Sequence, residues 1–232
     1  AMEFVIKRDL FIKAATDISG MTANQTVNPV LSGILLVVSS RNLTLVGSNS
    51  DIIMKQVIPV CSDDLLLIEE GSVLLPAKLF LDIMKKLPEI VNVKGLSNFH
   101  IEITSGDINL RLNGLNPDDY PELPKMEAVQ AITLKKSEIS ALFKQTAFAA
   151  AKNGTKPILC GINMSISEGK ITCAATNSHR LASKRLQIAN QGIRCSVILP
   201  NKGINALIRI LDQAESDVSI FFTDSYMICQ IK

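Results

Sequence analysis

The feature of this sequence that most constrains its fold is a long internal repeat. The segment Asn28–Asp51 aligns without a gap with the segment that begins at Lys156, at a constant offset of 128 residues. A second register, offset by 124 residues, aligns Ser72–Lys78 with Ser196–Lys202. Identical pairs in the first register include Pro29 with Pro157, Leu31 with Leu159, Gly33 with Gly161, Thr44 with Thr172 and Asn49 with Asn177. A unit of about 125 residues therefore occurs twice, which indicates tandem copies of a whole domain because solenoid repeats are much shorter.

The repeat predicts two domains in a chain of 232 residues, a length that by itself is compatible with one or two. We expect domain one over residues 2–120 and domain two over residues 130–232. Residues 121–129 are the predicted connector, because the stretch 115–129 contains three Pro and shows no apolar periodicity.

Within each copy, alternating apolar residues predict strands and a 3.6-residue apolar period predicts helices. The predicted helices begin at Asp9 and span Pro76–Leu87 in the first copy, and span Ser137–Lys152 and Asn201–Leu211 in the second. The apolar stripe of the second helix comprises Leu79, Phe80, Ile83 and Leu87. We therefore expect an α+β fold in which each domain is a twofold βαβββ repeat, with two helices against antiparallel sheets. The last strand of the second domain is expected to be absent from the sequence.

The composition argues against metal, disulfide and membrane functions. The chain has five Cys without a C-x-x-C pair and only two His, so it lacks the clustered ligands that zinc sites need. We expect reduced thiols, no metal and no cofactor. No apolar run approaches the length of a membrane helix and no secretory leader opens the chain. These observations predict a cytoplasmic protein without membrane association.

Six segments in order along the entire chain resemble the bacterial DNA polymerase III beta subunit, the sliding clamp. They are Asn28–Gly33, Gly47–Asp51, Leu112–Leu115 with Asp118–Pro121, Pro157–Gly161, Thr176–Ala182 and Ile198–Pro200. The family protein has three such domains, and two copies close head to tail into a homodimer ring around duplex DNA. The resemblance therefore implies tandem DNA-clamp domains, of which this chain corresponds to the first two, with the whole third domain absent.

The resemblance also implies the function of a processivity factor in DNA replication. Such a subunit encircles duplex DNA, contacts it without sequence specificity, and tethers the replicative polymerase. The implied partners are double-stranded DNA and, through short apolar peptide motifs, the DNA polymerase III alpha subunit, the clamp loader and repair polymerases. No catalytic residue is expected.

In the clamp fold, helices line the inside of the ring, so the faces opposite their apolar stripes are expected to meet DNA. Two of the basic residues on these faces, Lys78 and Lys202, are equivalent in the two copies. Contacts from such side chains would go to phosphates, which hold DNA without reading its sequence. The implied DNA-binding residues are Lys13, Lys78, Lys85, Lys144, Lys152, Asn153, Lys156, Lys202 and Arg209.

A second implied surface is a pocket that receives short apolar peptides, a common mode of recognition for extended segments. Without the resemblance, His179-Arg180-Leu181 is typical of a turn leading into a strand, with Leu181 in the core. The second-domain half of the pocket is expected to comprise Leu159, Thr176, Asn177, Ser178, His179, Arg180 and Leu181.

Two other kinds of function compete with this one. An enzyme could use Ser178 with His179, or Cys160 with His179, but adjacent strand residues point to opposite faces and no G-x-S-x-G elbow is present. A truncated clamp paralogue could bind clamp partners without forming a ring, and this alternative remains open.

Overall fold

A computed structural model gives the fold of the chain, and it describes residues 2–22, 29–49, 51–60, 63–122, 131–153, 156–189, 192–223 and 226–231. The chain divides into two compact units, residues 1–124 and 125–232, called unit 1 and unit 2 below. The domain bounds predicted from the sequence stay a prediction, because most of the connector at 121–129 lies outside the described residues.

Unit 1 contains two helices and nine strands among its described residues. Its elements are β1 (Glu3–Lys7), α1 (Arg8–Ser19), β2 (Gly33–Val38), β3 (Asn42–Ser48), β4 (Ile53–Pro59), β5 (Leu65–Glu69), β6 (Gly71–Pro76), α2 (Ala77–Met84), β7 (Ile90–Gly95), β8 (His100–Ser105) and β9 (Ile108–Asn113). The strands form two antiparallel sheets, ordered β4-β3-β2-β6 and β5-β1-β7-β8-β9. The helices pack against each other and against these sheets.

The two halves of unit 1 exchange one strand each. β1 opens the first βαβββ half but pairs with β7 of the second half, from Glu3 opposite Lys94 to Lys7 opposite Ile90. β6 opens the second half but pairs with β2 of the first half. The predicted twofold βαβββ repeat, with two helices against antiparallel sheets, is therefore confirmed.

Unit 2 repeats this arrangement among its described residues. Its elements are β10 (Ala131–Leu134), α3 (Lys136–Ala147), β11 (Gly161–Ser167), β12 (Lys170–Thr176), β13 (Leu181–Gln187), β14 (Cys195–Pro200), α4 (Asn201–Gln213), β15 (Val218–Phe222) and β16 (Met227–Ile231). The sheets are ordered β13-β12-β11-β14 and β10-β15-β16. Strands β11 to β13 begin 128 residues after β2 to β4, as the first sequence register predicts.

Each unit has an apolar core between its helices and its sheets. In unit 1, the rings of Phe11 on α1 and Phe80 on α2 meet edge to face with their centroids 5.3 Å apart, a favoured aromatic geometry. In unit 2, α3 buries Ile139, Leu142 and Phe143 and packs against α4. Because each helix buries one face, its polar face is turned to solvent.

Three predicted helix ends differ from the structure, and one of them is that of α4, which extends to Gln213 beyond its predicted end at Leu211. α2 ends at Met84 and α3 at Ala147, before the predicted ends at Leu87 and Lys152. After α3 the chain turns, and the Ala151 N–H donates a hydrogen bond to the Leu159 carbonyl at 2.8 Å. This tertiary contact outweighs the helix propensity of the Ala-rich stretch.

Further corrections concern single elements. Leu79 was predicted in the core but is 50% exposed, because Leu81 and Met84 occupy the buried side of α2 together with Phe80. Strand β5 was not predicted at all. Residues Pro29–Ser32 and Pro157–Cys160 form short 3-10 helices directly before β2 and β11.

Candidate functional site

Two helices carry basic side chains at matching places. Lys78 is the second residue of α2 and Lys202 the second residue of α4, and both are exposed. Each helix begins directly after a Pro that ends the preceding strand, Pro76 or Pro200. Since Pro fixes φ near its helical value and cannot extend the strand ladder, it sets where each helix starts. The repeat therefore delivers one lysine to the same position in each unit.

The remaining cationic candidates on helices are also exposed. Lys13 lies on α1, Lys85 directly follows the last residue of α2, and Arg209 follows Lys202 by seven residues on the same face of α4. In the part of the chain that the structure describes, no carboxylate forms an ion pair with any of these four side chains or with Lys78. Their charge is fully available to a phosphate backbone.

Lys144 differs from the other candidates because it is paired. Its ammonium lies 2.7 Å from the Asp212 carboxylate, which joins α3 to α4. Both side chains are about half exposed, so the pair contributes little to stability. The pair does reduce the positive charge that Lys144 presents.

A shallow groove of about 390 Å³ lies beside this ion pair. The side-chain Oδ1 of Asn201 is buried there and has no hydrogen-bond partner among the described residues. The groove is mainly apolar, with two ammonium groups and two side-chain amides among its lining residues. The groove is lined by Lys144, Ala147, Phe148, Ala150, Lys152, Asn201, Asn205 and Ile208.

The predicted loop contacts follow α3. Lys152, Asn153 and Lys156 are exposed, and residues 154–155 between them lie outside the described residues. Lys152 also lines the groove, as Lys144 does, and the exposed cationic candidates of unit 2 are together called its basic surface below.

The predicted peptide pocket centres on the tight turn between β12 and β13. Asn177 Oδ1 accepts hydrogen bonds from the backbone N–H groups of His179 and Arg180, both at 3.1 Å. Thr176 Oγ1 donates to the Arg180 carbonyl at 2.8 Å, and Ser178 takes a positive φ of 75°. These local bonds fix the turn, and they leave the side chains of Ser178, His179 and Arg180 exposed.

An apolar surface extends from this turn. Leu181 is 72% exposed, so the interpretation that places it in the core is wrong. The Arg180 guanidinium lies 5.6 Å from the centroid of the Phe148 ring, within cation–π range. Leu159, the remaining predicted residue, is half-buried in the 3-10 helix Pro157–Cys160.

Sequence reasoning missed Phe148 and Ile158, which are both about 60% exposed. The signal for Phe148 was a large apolar residue that lies outside the apolar stripe of α3. The buried positions of α3 and its following turn are Ile139, Leu142, Phe143, Thr146, Ala147, Ala149 and Ala150. Ile158 lies in the 3-10 helix Pro157–Cys160, and no periodicity in the sequence signalled its exposure. Exposed apolar residues beside a rigid polar turn are typical of a peptide-binding surface.

Two thiols, those of Cys173 and Cys229, are held protonated at neutral pH. Burial raises the pKa of Cys173 and of Cys229 to about 12. Within the described ranges, no group of three or more His, Cys, Asp or Glu side chains is placed to hold a metal ion. No described helix is both long and apolar enough to cross a bilayer.

Both units match models of known protein domains. Residues 2–124 match the N-terminal domain of the DNA polymerase III beta subunit, and residues 133–232 match its central domain. The beta sliding clamp of Halalkalibacterium halodurans is 36% identical over 238 residues, covering 100% of this chain and 63% of the relative. That of Staphylococcus aureus is 38% identical over 234 residues, covering 99% of this chain and 62% of the relative.

The fold of the chain also matches solved structures of sliding clamps. The crystal structure of the Bacillus subtilis DNA polymerase sliding clamp superimposes with a TM-score of 0.93 at 32% identity, covering 99% of this chain and 62% of that chain. The chain therefore spans less than two thirds of the length of the relatives it matches.

Proposed function

Since the chain belongs to the DNA polymerase III beta subunit family, the bacterial sliding clamps, we propose that it serves as a clamp subunit in DNA replication. In this role it encircles duplex DNA as part of a head-to-tail ring and tethers the replicative polymerase. It is a non-catalytic processivity factor of the cytoplasm. Its partners are duplex DNA and, through short apolar peptides, the polymerase III alpha subunit, the clamp loader and repair polymerases.

The observation that carries this proposal is the matched exposure of Lys78 and Lys202 at the start of α2 and α4. A lysine ammonium attracts phosphate as a point charge and has no bidentate geometry for base edges. Both units carry this charge at the same position. This supports contact with a ligand whose negative charge repeats regularly along its length, as the phosphates of a DNA backbone do. A protein that slides needs attraction of this kind.

The second interaction is assigned to the turn between β12 and β13. The turn is held by its own hydrogen bonds, so Leu181 is presented at little entropic cost to binding. We assign Thr176, Asn177 and Ser178 to the shape of the turn, and His179, Arg180, Leu181 and Leu159 to contact with the peptide.

Retention on circular DNA tests the ring. The intact protein, expressed from its complete coding sequence and loaded by its own clamp loader, should stay on nicked circular DNA at high salt. It should be released when that DNA is made linear, because topology rather than affinity holds a ring. Equal retention on circular and linear DNA would contradict encirclement.

The alternative is a truncated clamp paralogue that binds clamp partners without forming a ring. The chain covers 62–63% of the relatives' length. On this hypothesis the protein would compete with a full clamp for the alpha-subunit peptide, yet show no retention specific to circular DNA. The same plasmid experiment therefore separates the two proposals.

A further inference from the structure

The groove of about 390 Å³ on unit 2 lies where α3 packs on α4. Its lining includes Ala147 and Ala150, which are buried and whose small side chains leave the space open. On α4, Asn201, Asn205 and Ile208 follow one another at intervals of four and three residues and therefore share one face of the helix. The volume falls within the range of small-ligand sites, about 300 to 1,000 Å³.

The Phe148 ring is the largest apolar side chain that lines the groove, and it is 59% exposed. It follows Lys144, another lining residue, by four positions, which places both side chains on one side of the end of α3. The Arg180 guanidinium lies 5.6 Å from the ring centroid, but Arg180 is not among the residues that line the groove. Part of the ring is therefore presented to the groove and stays available to a flat ligand.

Polar groups surround this ring in a pattern that suits a nucleotide. The exposed ammonium groups of Lys144 and Lys152 line the groove, and Lys144 shares its charge with Asp212. Asn205 adds an exposed amide. Asn201 Oδ1 is buried without a hydrogen-bond donor in the described part of the chain, which is unfavourable for an acceptor. Rotation of this amide towards the groove would let the amino group of a base supply the donor.

The chemistry of the lining selects among possible occupants. A free phosphate would use the ammonium groups but not the aromatic ring. An apolar peptide would use the ring but would leave the two ammonium groups without an anion. The bases of a duplex are stacked on one another and cannot present a face to a side chain. An unpaired nucleotide uses the ring, the amides and the ammonium groups together.

We infer that the groove binds an unpaired nucleotide, whose base stacks on Phe148 and whose phosphates contact Lys144 and Lys152. The inference rests on the proposed function, because a duplex held near Lys202 brings an adjoining single strand to the groove. Every base has a flat face, so the stacking holds the strand without reading its sequence. The basic surface of unit 2 thus contacts both the paired and the unpaired part of a DNA that contains both.

Three DNA probes test this inference with the intact protein. They are a blunt duplex, the same duplex with a single-stranded extension, and that extended duplex with abasic sugars throughout the extension. The abasic probe keeps the phosphates, so the comparison isolates the bases. Fluorescence anisotropy should show the extension with bases bound at least about fivefold more tightly than the abasic one. Duplex binding without this preference rejects the inference alone, whereas failure to bind any probe rejects the proposed function as well.

Variants at Phe148 separate stacking from apolar contact. Phe148→Ala should abolish the preference for bases and leave the affinity for the blunt duplex unchanged. Phe148→Tyr keeps a flat ring and should retain the preference, whereas Phe148→Leu keeps only apolar bulk and should behave like Phe148→Ala. Tyr226→Ala removes another exposed ring of unit 2, outside the groove, and should have no effect.

Two results with these variants would overturn the inference. One is an undiminished preference for bases in folded Phe148→Ala protein. The other is a Phe148→Ala protein that is weakened only towards the alpha-subunit peptide, because the groove would then belong to a protein partner.

Cross-linking to the unmodified protein gives a test that does not depend on the folding of any variant. Iodouracil placed in the extension reacts under ultraviolet light with an aromatic side chain in contact with it, and mass spectrometry identifies the adduct. The adduct should form on Phe148, and an excess of unlabelled extended duplex should suppress it. Adducts confined to other residues, such as the turn at 176–181, would reject the inference.

Discussion

Lys144 Nζ and Asp212 Oδ1 lie 2.7 Å apart and join α3 to α4 on the basic surface of unit 2. This carboxylate is the one acid that the described structure places in an ion pair with a candidate DNA-binding residue. The carboxylate reduces the positive electrostatic potential around Lys144. It adds little stability, because an exposed ion pair contributes less than about 1 kcal/mol. The pair therefore weakens the attraction for a phosphate at this place.

Replacing Asp212 with Asn should strengthen DNA binding by about two- to fivefold at low salt, because Lys144 becomes free to neutralise a phosphate. The free energy of unfolding should change by less than about 1 kcal/mol. Glu215→Gln is the matched control, since it removes the same charge from an exposed residue outside the pair. Fluorescence anisotropy with duplex DNA measures the affinities, and an equal gain in both variants would show that Lys144 has no particular role.

Lys78→Ala and Lys202→Ala should each weaken DNA binding to a similar extent for duplexes of unrelated sequence. Each should lower the slope of log K against log salt by about one, as expected for the loss of one phosphate contact. Lys170→Ala, at an exposed position in the hairpin between β11 and β12, should leave the slope unchanged. A loss of affinity for only some of the duplex sequences would contradict contact with the DNA backbone.

Leu181→Ser should reduce the affinity for an alpha-subunit peptide by about tenfold or more, the loss typical of a central apolar contact. Because Leu181 is 72% exposed, the free energy of unfolding should change by less than about 0.5 kcal/mol. The control is Leu66→Ser, another exposed leucine on β5 of unit 1. Isothermal calorimetry and urea unfolding together distinguish lost contact from lost fold.

Tyr120 should control stability at alkaline pH. Burial raises its pKa from 10.0 to about 12. The unfolded chain therefore loses this proton first, so stability is fully present below about pH 10 and falls as pH rises towards about 12. One pKa unit corresponds to about 1.36 kcal/mol, so the free energy of unfolding of the parent should fall by about 2 to 3 kcal/mol over this pH range. Tyr120→Phe has no hydroxyl to ionise and should not show this loss.

Urea unfolding at a series of pH values measures this difference between Tyr120→Phe and the parent. Tyr226→Phe, at an exposed position, should follow the parent throughout. With only two Tyr and no Trp in the chain, the ultraviolet absorbance of the Tyr226→Phe protein reports ionisation of Tyr120 alone. Titration of that protein near pH 10 would contradict the burial argument.

The repeat made the main architecture predictable. Strands β11 to β13 could be located because β2 to β4 share their turn residues, including Asn49 and Asn177, whose side chains close equivalent turns. Prediction failed where both faces of an element are apolar. Strand β5 exposes Leu66 and Ile68 at the edge of its sheet, so it shows no alternation by which it could be recognised.

The candidate site was predictable in its residues but not in their surroundings. Exposure of Lys78, Lys202 and Arg209 follows from helical periodicity alone. The pairing of Lys144 with Asp212 does not, because those residues are far apart in sequence and meet only when α3 packs on α4. The exposure of Leu181 depends on what covers the sheet, which no local pattern encodes.

The exchange of β1 and β6 between the halves of unit 1 determines the smallest piece that can fold. Each half alone leaves both sheets incomplete, because β1, which also pairs with β5, is joined to β7 of the other half, and β6 is joined to β2. A chain cut at Gly71 should therefore yield two fragments that are less stable apart and regain the native unit when mixed. Each half of the unit thus supplies a strand that the other half needs to complete its sheet.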